Sequence, residues 1–179
     1  MYNNEINYKS GFTLIELLVT IAVIGIVMSI AIPSFTQTIL NSRLTTNANA
    51  LVASLNYARS EAIKRGVRIH VAKIGGVNQV WDGGWNIFID LDGDATFNNA
   101  DTLLKTYPAV PTGFTLRTGA NYAVWIAYLP TGLTASSGGF TNDTFRLCGA
   151  TGSTVNYRDI IVNVVGRVRV STAAAVTCP

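Results

Sequence analysis

Charge is scarce in this 179-residue chain: Asp, Glu, Lys and Arg make up 13% of it, against 49% hydrophobic residues. That is about half the charged share of an ordinary soluble domain. The bias suits a chain whose apolar surface is spent on a membrane segment and on packing against other subunits. A single histidine, His70, excludes most histidine-based metal and triad chemistry; it lies in an alternating stretch with no evident partner, where a histidine is usually structural. No Ser-His-Asp order, phosphate loop or dinucleotide fingerprint occurs, so neither an enzyme nor a cofactor is expected. The net charge of +3 argues only weakly for a nucleic-acid partner. Disorder is excluded too, because Val, Gly and aromatics are too plentiful.

What the chain does have is one long apolar run. The first eleven residues, ending at Gly11, are polar and carry Lys9; Phe12 to Ile32 then reads FTLIELLVTIAVIGIVMSIAI with one charge, Glu16. As a helix this run spans about 30 Å, the thickness of a bilayer's hydrocarbon core. A secretory signal would carry a shorter apolar core with a small-residue cleavage site after it. Here the small residue, Gly11, precedes the run, so cutting after it removes the leader and keeps the helix. Glu16 is costly in hydrocarbon and needs compensation. Two sources are open: the new amino group of Phe12, on its own chain or a neighbour, or lipid headgroups at the membrane edge.

Beyond Pro33, which either kinks the helix or loosens a turn, Leu44, Ala48, Leu51, Leu55, Ala58 and Ala62 recur at helical steps and form one apolar stripe. Gly66 supplies a stop. The period then changes to two in Val67–Val71, Trp85–Ile89, Tyr122–Ile126, Thr144–Cys148 and Asp159–Val165, with Gly- and Asn-rich turns between. A helix followed by six or more short strands predicts an α+β fold, the sheet packed on the amphipathic part of the helix.

The string Gly11-Phe12-Thr13-Leu14-Ile15-Glu16-Leu17-Leu18 resembles the prepilin-peptidase recognition sequence of type IV pilins and type II secretion pseudopilins. The segments Leu55–Gly66 (LNYARSEAIKRG), Gly84–Asp90 (GWNIFID) and Gly166–Arg169 (GRVR) resemble, in that order, the GspH/FimT group of minor pilins and minor pseudopilins. The resemblance implies a type IV pilin-like fold, with a long N-terminal helix packed on a C-terminal antiparallel β-sheet head. It divides the chain into a leader (1–11), a transmembrane helix (12–33), an amphipathic helix (34–66) and a periplasmic or extracellular head (67–179). It also implies cleavage between Gly11 and Phe12 by prepilin peptidase, N-methylation of Phe12, and docking onto other pilin or pseudopilin subunits through Glu16. Lys9 agrees with single-pass insertion in the inner membrane, head outward.

Three further features carry open alternatives. Cys148 and Cys178 are either a disulfide or two buried thiols, and the export signal favours the disulfide. Asp90, Asp92, Asp94 and Asp101 lie in DLDGDATFNNAD, where carboxylates at i, i+2 and i+4 could surround calcium. Gly93 falls too early for an EF-hand and no Glu closes the loop, so a solvated acidic turn is the safer expectation and no metal site is assigned. In Gly166-Arg167-Val168-Arg169, the two arginines would share one strand face with a spacing of about 7 Å, matching successive phosphates. The plain alternative is an edge strand whose charges discourage aggregation. The GRxR motif is similar to one implicated in DNA capture by FimT-type pilins, which makes double-stranded DNA a candidate partner and natural transformation a candidate role. Arg146 and Arg158 would extend that surface if folding brings them close, whereas Arg59, Lys64, Arg65 and Arg68 read as solvated or subunit-contacting charge. The leading expectation from the resemblance is a minor type IV pilin that helps initiate or cap the pilus and binds DNA non-specifically; the competing function is a GspH-like minor pseudopilin of a type II secretion system acting through protein contacts alone.

Overall fold

The computed structural model describes residues 11–151, 154–172 and 178; the leader residues 1–10, Lys9 among them, and most of the tail after the basic motif lie outside these. Helix α1 runs Leu14–Arg65, so Pro33 does not end it. Nine strands follow: β1 Ile69–Lys73, β2 Trp85–Ile89, β3 Thr102–Tyr107, β4 Phe114–Thr118, β5 Trp125–Tyr128, β6 Thr134–Ser136, β7 Asp143–Thr151, β8 Thr154–Val162 and β9 Val168–Ser171. The chain divides into two compact units, Met1–Thr38 and Ile39–Pro179.

Thr13 starts the helix. Its hydroxyl accepts from the Glu16 N–H (3.3 Å) while the Glu16 carboxylate accepts from the Thr13 N–H (3.0 Å) and hydroxyl (3.1 Å). This reciprocal capping box satisfies donors that a helix start otherwise leaves open. Gly66 ends the helix in the left-handed conformation (φ 69°), its N–H bonding the Ala62 carbonyl, a conformation that costs a side-chain-bearing residue.

In the C-terminal unit all strand pairs are antiparallel and form two sheets, ordered β3-β2-β1-β5-β6 and β4-β7-β8-β9. The apolar stripe of α1 is buried along its whole expected length, with Leu44, Ala48, Leu51, Leu55, Ala58 and Ala62 at most 1% exposed. It shares one core with Ile69, Val71 and Ile87 of the first sheet and Leu116, Phe145 and Ile160 of the second. Three alanines stand among the three leucines of the stripe, and these small side chains let helix and sheets approach closely. Ser54 does not break the core: its hydroxyl bonds the Leu51 carbonyl and accepts from Trp85 Nε1 at 3.0 Å.

Three expectations need correction. The strand expected at Tyr122–Ile126 starts only at Trp125, because the Tyr122 N–H is held by the Asp143 carboxylate in a turn. The one expected through Val165 ends at Val162, where Asn163 opens a tight turn closed by the Gly166 N–H on the Asn163 carbonyl (2.8 Å). The first begins at Ile69, after the helix stop, rather than at Val67.

Candidate functional site

The N-terminal part of α1 presents apolar side chains to its surroundings. Leu14, Ile15, Leu17, Val19, Ile24 and Ile30 are all at least half exposed, and Phe12, at 92%, is almost wholly so. Its hydroxyls are satisfied within the helix, Thr20 donating to the Leu17 carbonyl (2.8 Å) and Ser29 to that of Ile26 (2.7 Å). A segment immersed in lipid needs that internal satisfaction, since no water can replace it. The helix is long and apolar enough to cross a membrane. Glu16 reaches its own Thr13 in this structure, a partner neither sequence alternative foresaw although Thr-x-x-Glu is its signature.

At the other end of the chain, Arg167 and Arg169 line one shallow concavity of about 260 Å³ with Ile161 and Asn163. Register explains this: Arg169 sits opposite Ile161 on edge strand β9, while Arg167 lies in the turn before it, its N–H bonding the Asn163 side-chain oxygen at 2.8 Å. Both arginines are exposed, and among the described residues neither guanidinium has a hydrogen-bond or ion-pair partner. Val168 packs against the core; Val170 stays 44% exposed.

The other residues of the basic group behave differently. Gly166 is buried, with a positive φ of 75°, and faces the protein rather than solvent. Arg146 is opposite Asp159 across β7 and β8 and binds it bidentately (2.8 and 2.9 Å), which pushes the guanidinium further above its ordinary pKa. Arg158 donates to the Tyr157 carbonyl at 2.9 Å. The structure therefore brings Arg167 and Arg169 together and commits Arg146 to an internal pair. Arg59, expected as solvated or subunit-contacting charge, instead clamps two turns, donating to the carbonyls of Gly132 (3.2 Å) and Val165 (3.0 Å). Cys148 of β7 is bonded to Cys178, Cα atoms 6.0 Å apart, so the last part of the chain is tied to the second sheet.

A third cluster lies between β2 and β3. Asp90, Asp92 and Asp94 each bring a carboxylate oxygen within 4.8 Å of the others. The Asn98 amide on Asp92 (2.8 Å) and the Asp94 N–H hold the Asp92 carboxyl below its ordinary range. Behind them His70 of β1 is buried, stacked on Phe88 and edge-on to Trp125. Burial lowers the His70 pKa, outweighing the opposing pull of Asp90 and Asp101; Arg68 lowers it further.

The chain thus carries a helix long and apolar enough to cross a membrane and a sheet-rich C-terminal unit. The family model described as Type II transport protein GspH matches residues 47–166, and the prokaryotic N-terminal methylation motif matches residues 6–32. The chain belongs to the GspH family. It is a minor pilin or pseudopilin of the type IV pilin and type II secretion superfamily, with one N-terminal helix long and apolar enough to cross a membrane. Two crystal structures of the type IV minor pilin FimU of Pseudomonas aeruginosa (strain PAO1) share its fold. One has a TM-score of 0.57 at 20% identity, covering 73% of this chain and 90% of FimU. The other has a TM-score of 0.54 at 20% identity, covering 72% and 92%. No curated protein matches the chain.

Proposed function

We propose that this GspH-family subunit is a minor pseudopilin of a type II secretion system. In this reading it enters the fibre through its N-terminal helix and acts by protein contacts alone. The observation that carries the reading is the row of exposed apolar side chains on the first turns of α1, headed by a single carboxylate. Such a surface is stable only in lipid or against like helices of other subunits. Prepilin peptidase would cut between Gly11 and Phe12, and Phe12 would be N-methylated. The freed amine would lie one turn from Glu16, which exchanges its Thr13 bonds for the amine of the preceding subunit. The test is a deletion strain complemented with Glu16→Ala. The variant is expected in the inner membrane but absent from sheared fibres, with export of type II substrates down about tenfold or more, the loss expected when a buried charge partner disappears. Wild-type levels of the variant in fibres, or full export without the subunit, would sink the reading.

A second reading is favoured by the two unpartnered guanidiniums at one concavity: Arg167 and Arg169 bind the phosphates of double-stranded DNA for natural transformation. Such binding would be weak and sequence-independent, falling with log[salt] at a slope of about −0.9 per phosphate contacted. Fluorescence titration of the full chain in detergent, with a labelled duplex, is expected to lose affinity about tenfold in the Arg167→Ala/Arg169→Ala variant, since charge-assisted phosphate bonds dominate. Arg146→Ala is expected to leave affinity unchanged, because its guanidinium is already taken by Asp159. Equal affinity of the double variant and wild type would end the DNA reading.

A further inference from the structure

We propose that the Asp90–Asp101 loop binds a calcium ion through the carboxylates of Asp90, Asp92 and Asp94 and the backbone carbonyl of Thr96, with His70 positioning Asp90 from inside the head. The acidic cluster alone would not carry this. The second observation is His70, whose Nδ1 is buried without a hydrogen-bond partner, in a residue only 3% exposed. That nitrogen faces Asp90 Oδ2 at 3.7 Å, too far for a hydrogen bond yet aimed at the carboxylate, which is itself 5% exposed. A buried nitrogen directed at the innermost carboxylate of a cluster whose other members, Asp92 and Asp94, are exposed is the arrangement of an outer-shell residue that orients a metal-ligating carboxylate. The Asp90 carboxylate also accepts from the N–H groups of Gly93 (2.7 Å) and Ala95 (3.0 Å), and neither bond uses the imidazole nitrogen.

The loop supplies the rest. EF-hand-type calcium loops take ligands from the first, third, fifth, seventh, ninth and twelfth positions. Counted from Asp90, these are Asp90, Asp92, Asp94, Thr96, Asn98 and Asp101. The sixth position, where such loops need the left-handed backbone, is Ala95 with φ 58°. The early Gly93 is therefore no obstacle, because the chain makes the turn without a glycine at the sixth position. Asp101, at the twelfth position, braces the loop instead of joining the three clustered carboxylates, its oxygens accepting from the N–H groups of Leu91 and Asn98 at 3.0 Å each. The Asn98 amide donates to Asp92 Oδ2 (2.8 Å), Asp94 Oδ2 (3.4 Å) and the Thr96 carbonyl (3.4 Å). These three oxygens converge on one partially positive group, and a cation would take its place as Asn98 turns outward.

Oxygen-only ligation selects a hard cation. Several carboxylates on a flexible loop suit calcium, whereas magnesium demands tight octahedral geometry and sheds water reluctantly. The inference is independent of which fibre the subunit joins. The test is titration calorimetry of the full chain in detergent, first stripped with chelator, using calcium chloride and magnesium chloride, with thermal melts in parallel. One calcium per chain is expected, with a sub-millimolar Kd of the order of 10⁻⁴ M and magnesium at least about tenfold weaker. Asp92→Asn/Asp94→Asn, both at exposed positions, is expected to weaken calcium about tenfold or more and leave the calcium-free melting temperature unchanged. His70→Phe is expected to weaken binding and His70→Gln to restore it, and failure of Gln to restore it would overturn the positioning role. No heat and no melting shift up to about 10 mM calcium, well past the range of extracellular sites, would overturn the proposal. So would a shift that the double Asn variant retains.

Discussion

Replacing Gly166 with alanine is expected to destabilise the C-terminal unit by about 2–5 kcal/mol, as the sum of a left-handed backbone penalty and an overpacking penalty. The glycine sits at φ 75°, and a Cβ there would stand 2.3 Å from the Gly132 carbonyl oxygen, 3.0 Å from Arg59 Nε and 3.1 Å from Tyr128 Cε1. The carbonyl is backbone and already accepts from Arg59 at 3.2 Å. Making room would push apart the 129–132 turn, the 163–166 turn and the arginine that holds both. Thermal melts of the full chain in detergent should fall by roughly 4–20 °C, using a few degrees per kcal/mol for a unit of this size. A drop below about 2 °C, corresponding to less than 1 kcal/mol, would show that the turns can spread freely. The result also bears on the basic motif. A Gly166→Ala variant that loses DNA affinity together with its fold would say nothing about a glycine contact with DNA, whereas the two arginines can be removed without touching this junction.

That division within four consecutive residues marks the limit of what the sequence could disclose. The apolar stripe of α1 was legible because its period is local: Leu44 to Ala62 repeat at helical steps and all face the core. β2 was legible too, since Trp85, Ile87 and Phe88 are buried. β3 was not. Its adjacent Leu103 and Leu104 blur the alternation, and as an edge strand most of it is exposed. The fates of the arginines were hidden for another reason. Arg146 meets Asp159 only through the register of β7 with β8, and Arg59 meets Val165 across 106 positions of chain. Neither pairing leaves a local signature. Glu16 is the opposite case, because its Thr13 cap is a local Thr-x-x-Glu pattern, three positions apart. The acidic loop is less legible, because nothing in an alanine's side chain signals the left-handed backbone that Ala95 adopts.

The other large effect should come from Trp81→Ala, expected to cost about 3–5 kcal/mol, the range for truncating a fully buried large aromatic. Trp81 lies between β1 and β2 of the first sheet yet is wired to the second. Its N–H bonds the Leu116 carbonyl at 2.9 Å, and Val80 forms an isolated bridge with Arg117 of β4. The side chain is wholly buried, edge-on to Phe145 of β7 at 4.9 Å, with Nε1 donating to the Tyr122 carbonyl at 3.0 Å. Next to it the Asp82 carboxylate accepts from the Leu116 N–H at 2.6 Å and pairs with Arg117. The indole thus fills the space where the β1–β2 connection crosses onto the second sheet. Truncation would remove the edge contact and open a cavity that these backbone bonds keep from collapsing. The Tyr122 carbonyl would keep its other donor, the Thr118 hydroxyl at 3.0 Å, so the loss is chiefly one of packing. Trp81→Phe should therefore recover more than half of the stability even without the indole N–H. Thermal melts of wild type and both variants decide between packing and hydrogen bonding as the main contribution. If Phe were as damaging as Ala, the Nε1 bond rather than the filled volume would be holding the two sheets together at this point.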